Sequence, residues 1–301
     1  MKTSKDSSMT KTQHQVQDAT KDQFIEFPFR IKSTLEKFIV AGDLQVRRMD
    51  DEDKDRLLRI KNAEYTKEGK LNKFIPLDDC LFMRSIGLDL DEFDEFCSSN
   101  YMLIAPSIER AKEFNLALKL LGNSSSALYI GFNQNISAKH FLGAPCYFGH
   151  SALYIGEHEA AQLVNLVRLI EDSRADKKLQ TMREIYLHTL IRTRRKESRF
   201  IELAIILEML LLPDSSAELS YRFSLRLAKF MSKYKGKPVQ EVFQLARQIY
   251  TTRSRLVHTG TDNGLDDIAP TAFEYVRILL AAYLRNRESF QEKRLDQLCL
   301  G

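Results

Sequence analysis

Beyond Glu157 the apolar residues of this chain fall at three- and four-residue intervals, a period that only packed helices can bury. Residues 157–171 and 177–195 read as the first two helices, the second strongly charged. Phe200, Leu203, Ala204, Leu207, Leu210 and Leu211 trace the next, which Pro213 ends. Ser216 stands where a cap is wanted for a helix carrying Tyr221, Phe223, Leu227, Phe230 and Met231. Lys235-Gly236-Lys237-Pro238 is a breaker with proline at a helix start. Val239, Val242, Phe243, Ala246, Ile249, Tyr250 and Val257 then mark one face of a long helix, and Gly260 suits its C-terminal stop. A loop over 261–269 and a last helix over 270–287 complete the series. Successive amphipathic helices with short connections predict an all-α antiparallel bundle over residues 178–298.

The first half reads differently. Residues 1–22 are polar, without the apolar stretch of a secretory signal, and read as a flexible tail. Residues 24–31 alternate apolar and polar side chains as a half-buried strand does. Further strands are expected at 43–47, 101–105 and 127–132, with an acidic helix start at 50–55 and a helix over 106–121. Residues 23–172 therefore read as an α+β domain, a candidate sensor of unknown ligand, and the fold class is α+β followed by a helical bundle.

Charge separates the halves again. Residues 1–172 carry 22 Lys/Arg against 26 Asp/Glu, whereas residues 173–301 carry 23 against 15. A net of +8 on the helical part points to an anionic partner, nucleic acid first, or to an ordinary basic helical surface. No apolar run is long enough for a membrane span: the stretch 203–213 contains Glu208. Cys80, Cys97, Cys146 and Cys299 are far apart and form neither a disulfide framework nor a zinc set, so the cytoplasm is the expected compartment.

Most chemical motifs can be set aside. His158-Glu159-Ala160-Ala161-Gln162 approaches the H-E-x-x-H zinc pattern but has glutamine where the second ligand is needed, and reads as an ordinary helix start. Gly236-Lys237-Pro238 lacks the spacing of a phosphate-binding loop, and neither G-x-G-x-x-G nor G-x-S-x-G occurs. The acidic run Asp89, Asp91, Glu92, Asp94 and Glu95 lacks a calcium loop's glycine and reads as solvated surface. His140 and His150 have no partner spacing. No metal or cofactor is expected.

Arg253 and His258 differ in kind. Five residues along a helix turn two side chains roughly 140° apart, so they do not share a face. Gly260 places His258 in the last turn, where unwinding, or a second copy of the chain, would bring imidazole and guanidinium together. A group that titrates near neutrality beside a forked permanent cation supplies what metal-free cleavage of an RNA backbone needs: proton transfer at the 2′-hydroxyl or leaving oxygen, and charge stabilisation on the phosphorane.

Tyr250-x-x-Arg253-Ser254-x-x-Val257-His258-Thr259-Gly260 resembles the signature helix of HEPN domains, particularly the Apea-like group. Residues 199–212 resemble the helix that carries that group's Leu-Glu pair, and residues 218–226 its following helix; the resemblance covers about 178–295. It implies a bundle that pairs as a homodimer, with the Arg and His motifs of two copies forming one composite, metal-independent endoribonuclease site, in a class that serves bacterial toxin and phage-defence systems. Carried over by position, Arg253 binds the scissile phosphate and His258 moves protons. Ser254 stands where many relatives have Asn or Asp, and orients the phosphate or the histidine. Glu208 holds Arg253 or His258, or makes a helix-to-helix ion pair without catalytic part. Arg255 and Arg222 extend an RNA-facing surface or serve as surface cations and ion-pair partners. Tyr250 is assigned to packing. The alternative is a HEPN-like module that dimerises or holds RNA or nucleotide without cutting.

Overall fold

A computed structural model describes residues 24–55, 99–122, 130–133, 139–141, 153–191, 195–214, 217–261 and 264–300. The polar tail, the acidic run 89–95, His150, Ser216 and the first part of the strand expected at 127–132 lie outside them. The chain divides into two compact units: residues 1–115, 126–144 and 152–164 form one, and 116–125, 145–151 and 165–301 the other.

The first unit is built on an antiparallel sheet. Its strands are β1 (Ile25–Phe29), β2 (Lys37–Ala41), β3 (Leu44–Arg48), β4 (Tyr101–Ala105), β5 (Ile130–Asn133) and β6 (Lys139–Phe141), in the order β2-β3-β4-β1-β5-β6. β1 runs against β4 from Ile25↔Ala105 to Phe29↔Tyr101, and against β5 through Ile25↔Asn133 and Glu26↔Phe132. This central position corrects the half-buried reading of residues 24–31: all five residues of β1 are buried, Glu26 and Pro28 included. Glu26 is reached by Arg47 of β3 at 3.7 Å, which tempers the cost of burying a carboxylate. Pro28 cannot donate to a ladder, and β5 pairs with β1 only at residues 25 and 26, leaving Pro28 beyond that ladder. Helix α1 (Ile108–Leu121) brings Phe114 edge-on to Phe29, ring centroids 5.6 Å apart. β2 and β6 were not expected from the sequence.

Helix α2 (Glu157–Asp172) starts at the zinc-like pentad. Glu159 accepts from the Gly156 backbone N–H at 3.0 Å, and His158 and Gln162 meet through their side chains at 2.8 Å. The pentad is thus tied into a helix start, with glutamine bonded to the imidazole that a second histidine would have joined at a metal.

The second unit holds α3 (Lys177–Ile191), α4 (Lys196–Leu211), α5 (Leu219–Lys235), α6 (Val239–Thr259), α7 (Leu265–Arg285), a 3-10 turn (Arg287–Phe290) and α8 (Glu292–Leu300). The expected order of helices is present, with corrections at the ends. Of the helix expected over 177–195, α3 covers Lys177–Ile191, residues 192–194 lie outside the described residues, and Arg195 is already the N-cap of α4. The N-cap position of α5 is occupied by Glu218 in a left-handed conformation (φ 52°), not by Ser216. The loop expected over 261–269 is shorter, because α7 begins at Leu265 and carries Pro270 inside it. Leu265, Ile268 and Ala269 are buried with Ala272, Phe273 and Val276. That continuous apolar stripe outweighs the one helix bond that proline removes near the end. Gly236 and Gly260 close α5 and α6 with φ of 63° and 76°, the left-handed region that glycine alone enters freely. Among the described residues no helix is long and apolar enough to cross a membrane.

Candidate anion-binding cleft of the helical unit

Helix α6 buries a narrow stripe, Val242, Ala246, Ile249, Thr252 and Leu256. Arg253 follows Thr252 at the shoulder of that stripe, part-buried, with its guanidinium against α4. There it meets Glu208, which sits at the corresponding shoulder of α4 among the buried Leu207, Leu210 and Leu211. Arg253 Nη2 donates to Glu208 Oε2 at a long 3.4 Å, and Nε lies 3.3 Å from Oε1. The second approach falls within ion-pair range without hydrogen-bond alignment, so the buried Nε–H has no hydrogen-bond partner. Arg253 is 31% exposed and Glu208 24%. Burial pushes the Glu208 carboxyl above the usual carboxylate range, and the facing guanidinium only partly offsets this.

The pair forms part of the wall of a cleft of about 650 Å³, lined also by Lys178, Leu212, Asp214, Leu219 and Tyr250. Tyr250 packs against Phe223 on α5, centroids 5.6 Å apart, and still faces the cleft, so its assignment to packing covers only part of its position. Lys178 stands in the first turn of α3. Asp176 starts that helix, its side chain accepting from the Leu179 N–H at 3.0 Å and from the Tyr283 hydroxyl at 3.0 Å. Lys178 Nζ lies 5.7 Å from the centre of the Tyr283 ring. Burial pulls the Lys178 ammonium below the ordinary lysine range, against the opposing pull of Asp176 and Asp214. The Tyr283 phenol is pushed up to about 12, first by burial and then by its bond to Asp176.

His258 is elsewhere. It is exposed in the last turn of α6 and is absent from the lining of the cleft. The helix remains regular to Thr259, and the Gly260 N–H bonds to Leu256 O at 2.9 Å. The unwinding that would turn imidazole toward guanidinium within one chain is therefore not found. Val257 beside it is 52% exposed. Ser254 is half-buried and Arg255 exposed. Arg222 is engaged by Asp296 at 3.1 Å and Glu292 at 3.3 Å, the ion-pair alternative.

Sequence reasoning missed Arg226 and Lys178. Arg226 is 1% exposed and donates to Leu211 O at 2.7 Å, to Glu292 at 3.0 and 2.6 Å, and to Asp296 at 2.6 Å. The i, i+4 spacing of Arg222 and Arg226, matched by that of Glu292 and Asp296, was a readable signal for this clasp. Lys178 had no local signal; only the packing of α3 beside α4, at a cleft that α6 also lines, gives it a role.

No protein-family model matches the chain, and no curated protein or solved structure is significantly similar to it.

Proposed function

We propose that the helical unit is a HEPN-type, metal-independent endoribonuclease that works as a homodimer, each site combining Arg253 of one copy with His258 of the other. The observation that carries this reading is the separation within one chain. Arg253 is held by Glu208 on the wall of a cleft, with a buried donor still unfulfilled. His258 stands exposed at the end of the same helix, beside an exposed Val257 that a second copy would cover. Each chain then offers half of a site.

In this reaction the 2′-oxygen attacks the adjacent phosphorus while the 5′-oxygen leaves, giving a cyclic phosphate and a free 5′-hydroxyl. His258 takes the 2′-hydroxyl proton or gives one to the leaving 5′-oxygen, and water carries the other transfer. Arg253 binds the non-bridging oxygens and stabilises their added charge through its free donors. Glu208 keeps the guanidinium in place. Ser254, one residue on, orients the phosphate or the imidazole. A role in toxin or phage-defence systems, in the cytoplasm, belongs to the same proposal.

A second reading has one observation in its favour: among the described residues the cleft of a single chain is lined by two cations, two carboxylates and an aromatic ring, and by no histidine. That suits a module that binds RNA or nucleotide without cutting it. Labelled total RNA incubated in EDTA with wild type, Arg253→Ala and His258→Ala separates the two. Cleavage by wild type, reduced about 100-fold or more in each variant, is expected. Cleavage that survives both substitutions removes the proposed site. Binding without cleavage by wild type gives the module reading.

A further inference from the structure

The cleft beside Arg253 contains more than the proposed reaction uses. Lys178 faces it from α3 and Arg253 from α6, two cations from separate helices in one chain. Glu208 engages Arg253 through one long hydrogen bond from Nη2 and a 3.3 Å ion-pair approach at the buried Nε, which leaves the other N–H donors of the guanidinium for a ligand. Tyr250 adds an aromatic ring to the wall, and Leu219, the first residue of α5, brings to the rim the start of that helix, whose N-cap residue Glu218 makes no side-chain cap bond. A space of about 650 Å³ lies within the range of small-molecule sites and suits roughly one nucleotide. A continuous RNA backbone wants a track of cations along its length. Two cations facing one space instead suit a compact dianion.

We infer that Lys178 and Arg253 form a subsite for a terminal phosphate, a phosphomonoester with its nucleoside laid against Tyr250, complete within a single chain. It rests on the reading above only in that Arg253 receives a phosphate; it needs neither His258 nor a second copy. Glu208 and Asp214 oppose an incoming anion. Glu208 is the group that must yield Arg253, and the burial that disfavours its charged form makes it the weaker competitor for the guanidinium. Lys178 supplies a point charge and Arg253 a fork, and a cation of either kind at position 178 serves the phosphate.

The test uses the full-length protein and 2′-deoxy oligonucleotides, which lack the attacking hydroxyl and cannot be cleaved by the proposed reaction. Binding is compared for a 5′-phosphorylated and a 5′-hydroxyl oligomer of one sequence, with adenosine 5′-monophosphate as a second probe. The phosphorylated oligomer should bind about 10-fold tighter, and Lys178→Gln and Arg253→Gln should each erase that preference, whereas Lys178→Arg keeps most of it. Thermal melting of each variant checks that it is folded. If adenosine monophosphate displaces the phosphorylated oligomer, the subsite takes free mononucleotides; if the phosphorylated oligomer resists it, the subsite takes strand ends, and either supports the inference. Equal binding of the two oligomers by wild type, or a phosphate preference that survives Lys178→Gln in a folded protein, overturns it. Because no cleavage is read, failure here leaves the ribonuclease proposal standing, and the reverse also holds.

Discussion

Arg226 and Arg253 both gather at the C-terminal turn of α4, and they are treated in opposite ways. Arg226 is sealed from solvent and shares its donors among Leu211 O, Glu292 and Asp296. It satisfies one of the carbonyls that a helix end leaves open and ties α8 to α5 and α4. Arg253 is a third exposed and meets Glu208 through one long hydrogen bond and a 3.3 Å ion-pair approach at its buried Nε, which has no hydrogen-bond partner among the described residues. A cation whose donors are spent has nothing left for a ligand. A cation fixed by one carboxylate beside an open cleft is already oriented and still has donors to give. The contrast separates an arginine that builds the bundle from one that the bundle presents.

The largest effect that could break this contrast is expected at Arg226. Arg226→Ala should cost about 3 kcal/mol in urea unfolding, the low end for breaking a buried pair, because Glu292 and Asp296 are 23% and 44% exposed. A loss no larger than that of Arg253→Ala would refute the assignment. Arg253→Ala should cost about 1 kcal/mol or less, since its pair with Glu208 is long and still a quarter to a third exposed. Arg222→Ala, on the solvent side of the same clasp, should cost about 0.5 kcal/mol. The smallest effect sharpens Glu208. Its folded pKa is raised, so the folded state holds the proton longer than the unfolded one. Its contribution to stability is therefore present below the unfolded value of about 4.3 and is lost as pH rises from there through the raised folded value. Thermal melting across that window should show Glu208→Gln losing less stability with rising pH than wild type.

The helical half was legible because its helices bury one stripe each, and a stripe at intervals of three and four is visible without any knowledge of partners. Gly260 could be read for the same reason: the end of the stripe and a residue tolerant of positive φ coincide. The start of α7 is hidden in the sequence because Pro270 has the look of a helix boundary, while Leu265, Ile268 and Ala269 carry the apolar period back across it. β1 was recognised as a strand, but its full burial depends on β4 and β5 flanking it, which no local pattern declares. At the site, Arg253 and Glu208 were singled out, and they meet across two helices. His258 was singled out too, yet it stands apart from them, since helix geometry keeps residues five apart on different faces. Lys178 was invisible because a lysine in a helix's first turn is an ordinary surface residue until another element closes a cleft around it.

The central claim is that one chain presents Arg253 and a second supplies His258, and mixing two inactive variants tests it most directly. Arg253→Ala and His258→Ala protein, each inactive alone, would be co-unfolded, refolded together and assayed on labelled RNA in EDTA. Random pairing makes half of the dimers mixed, each with one intact Arg-His combination of two, so about a quarter of the wild-type rate should return. A mixture as inactive as its components would contradict the shared site.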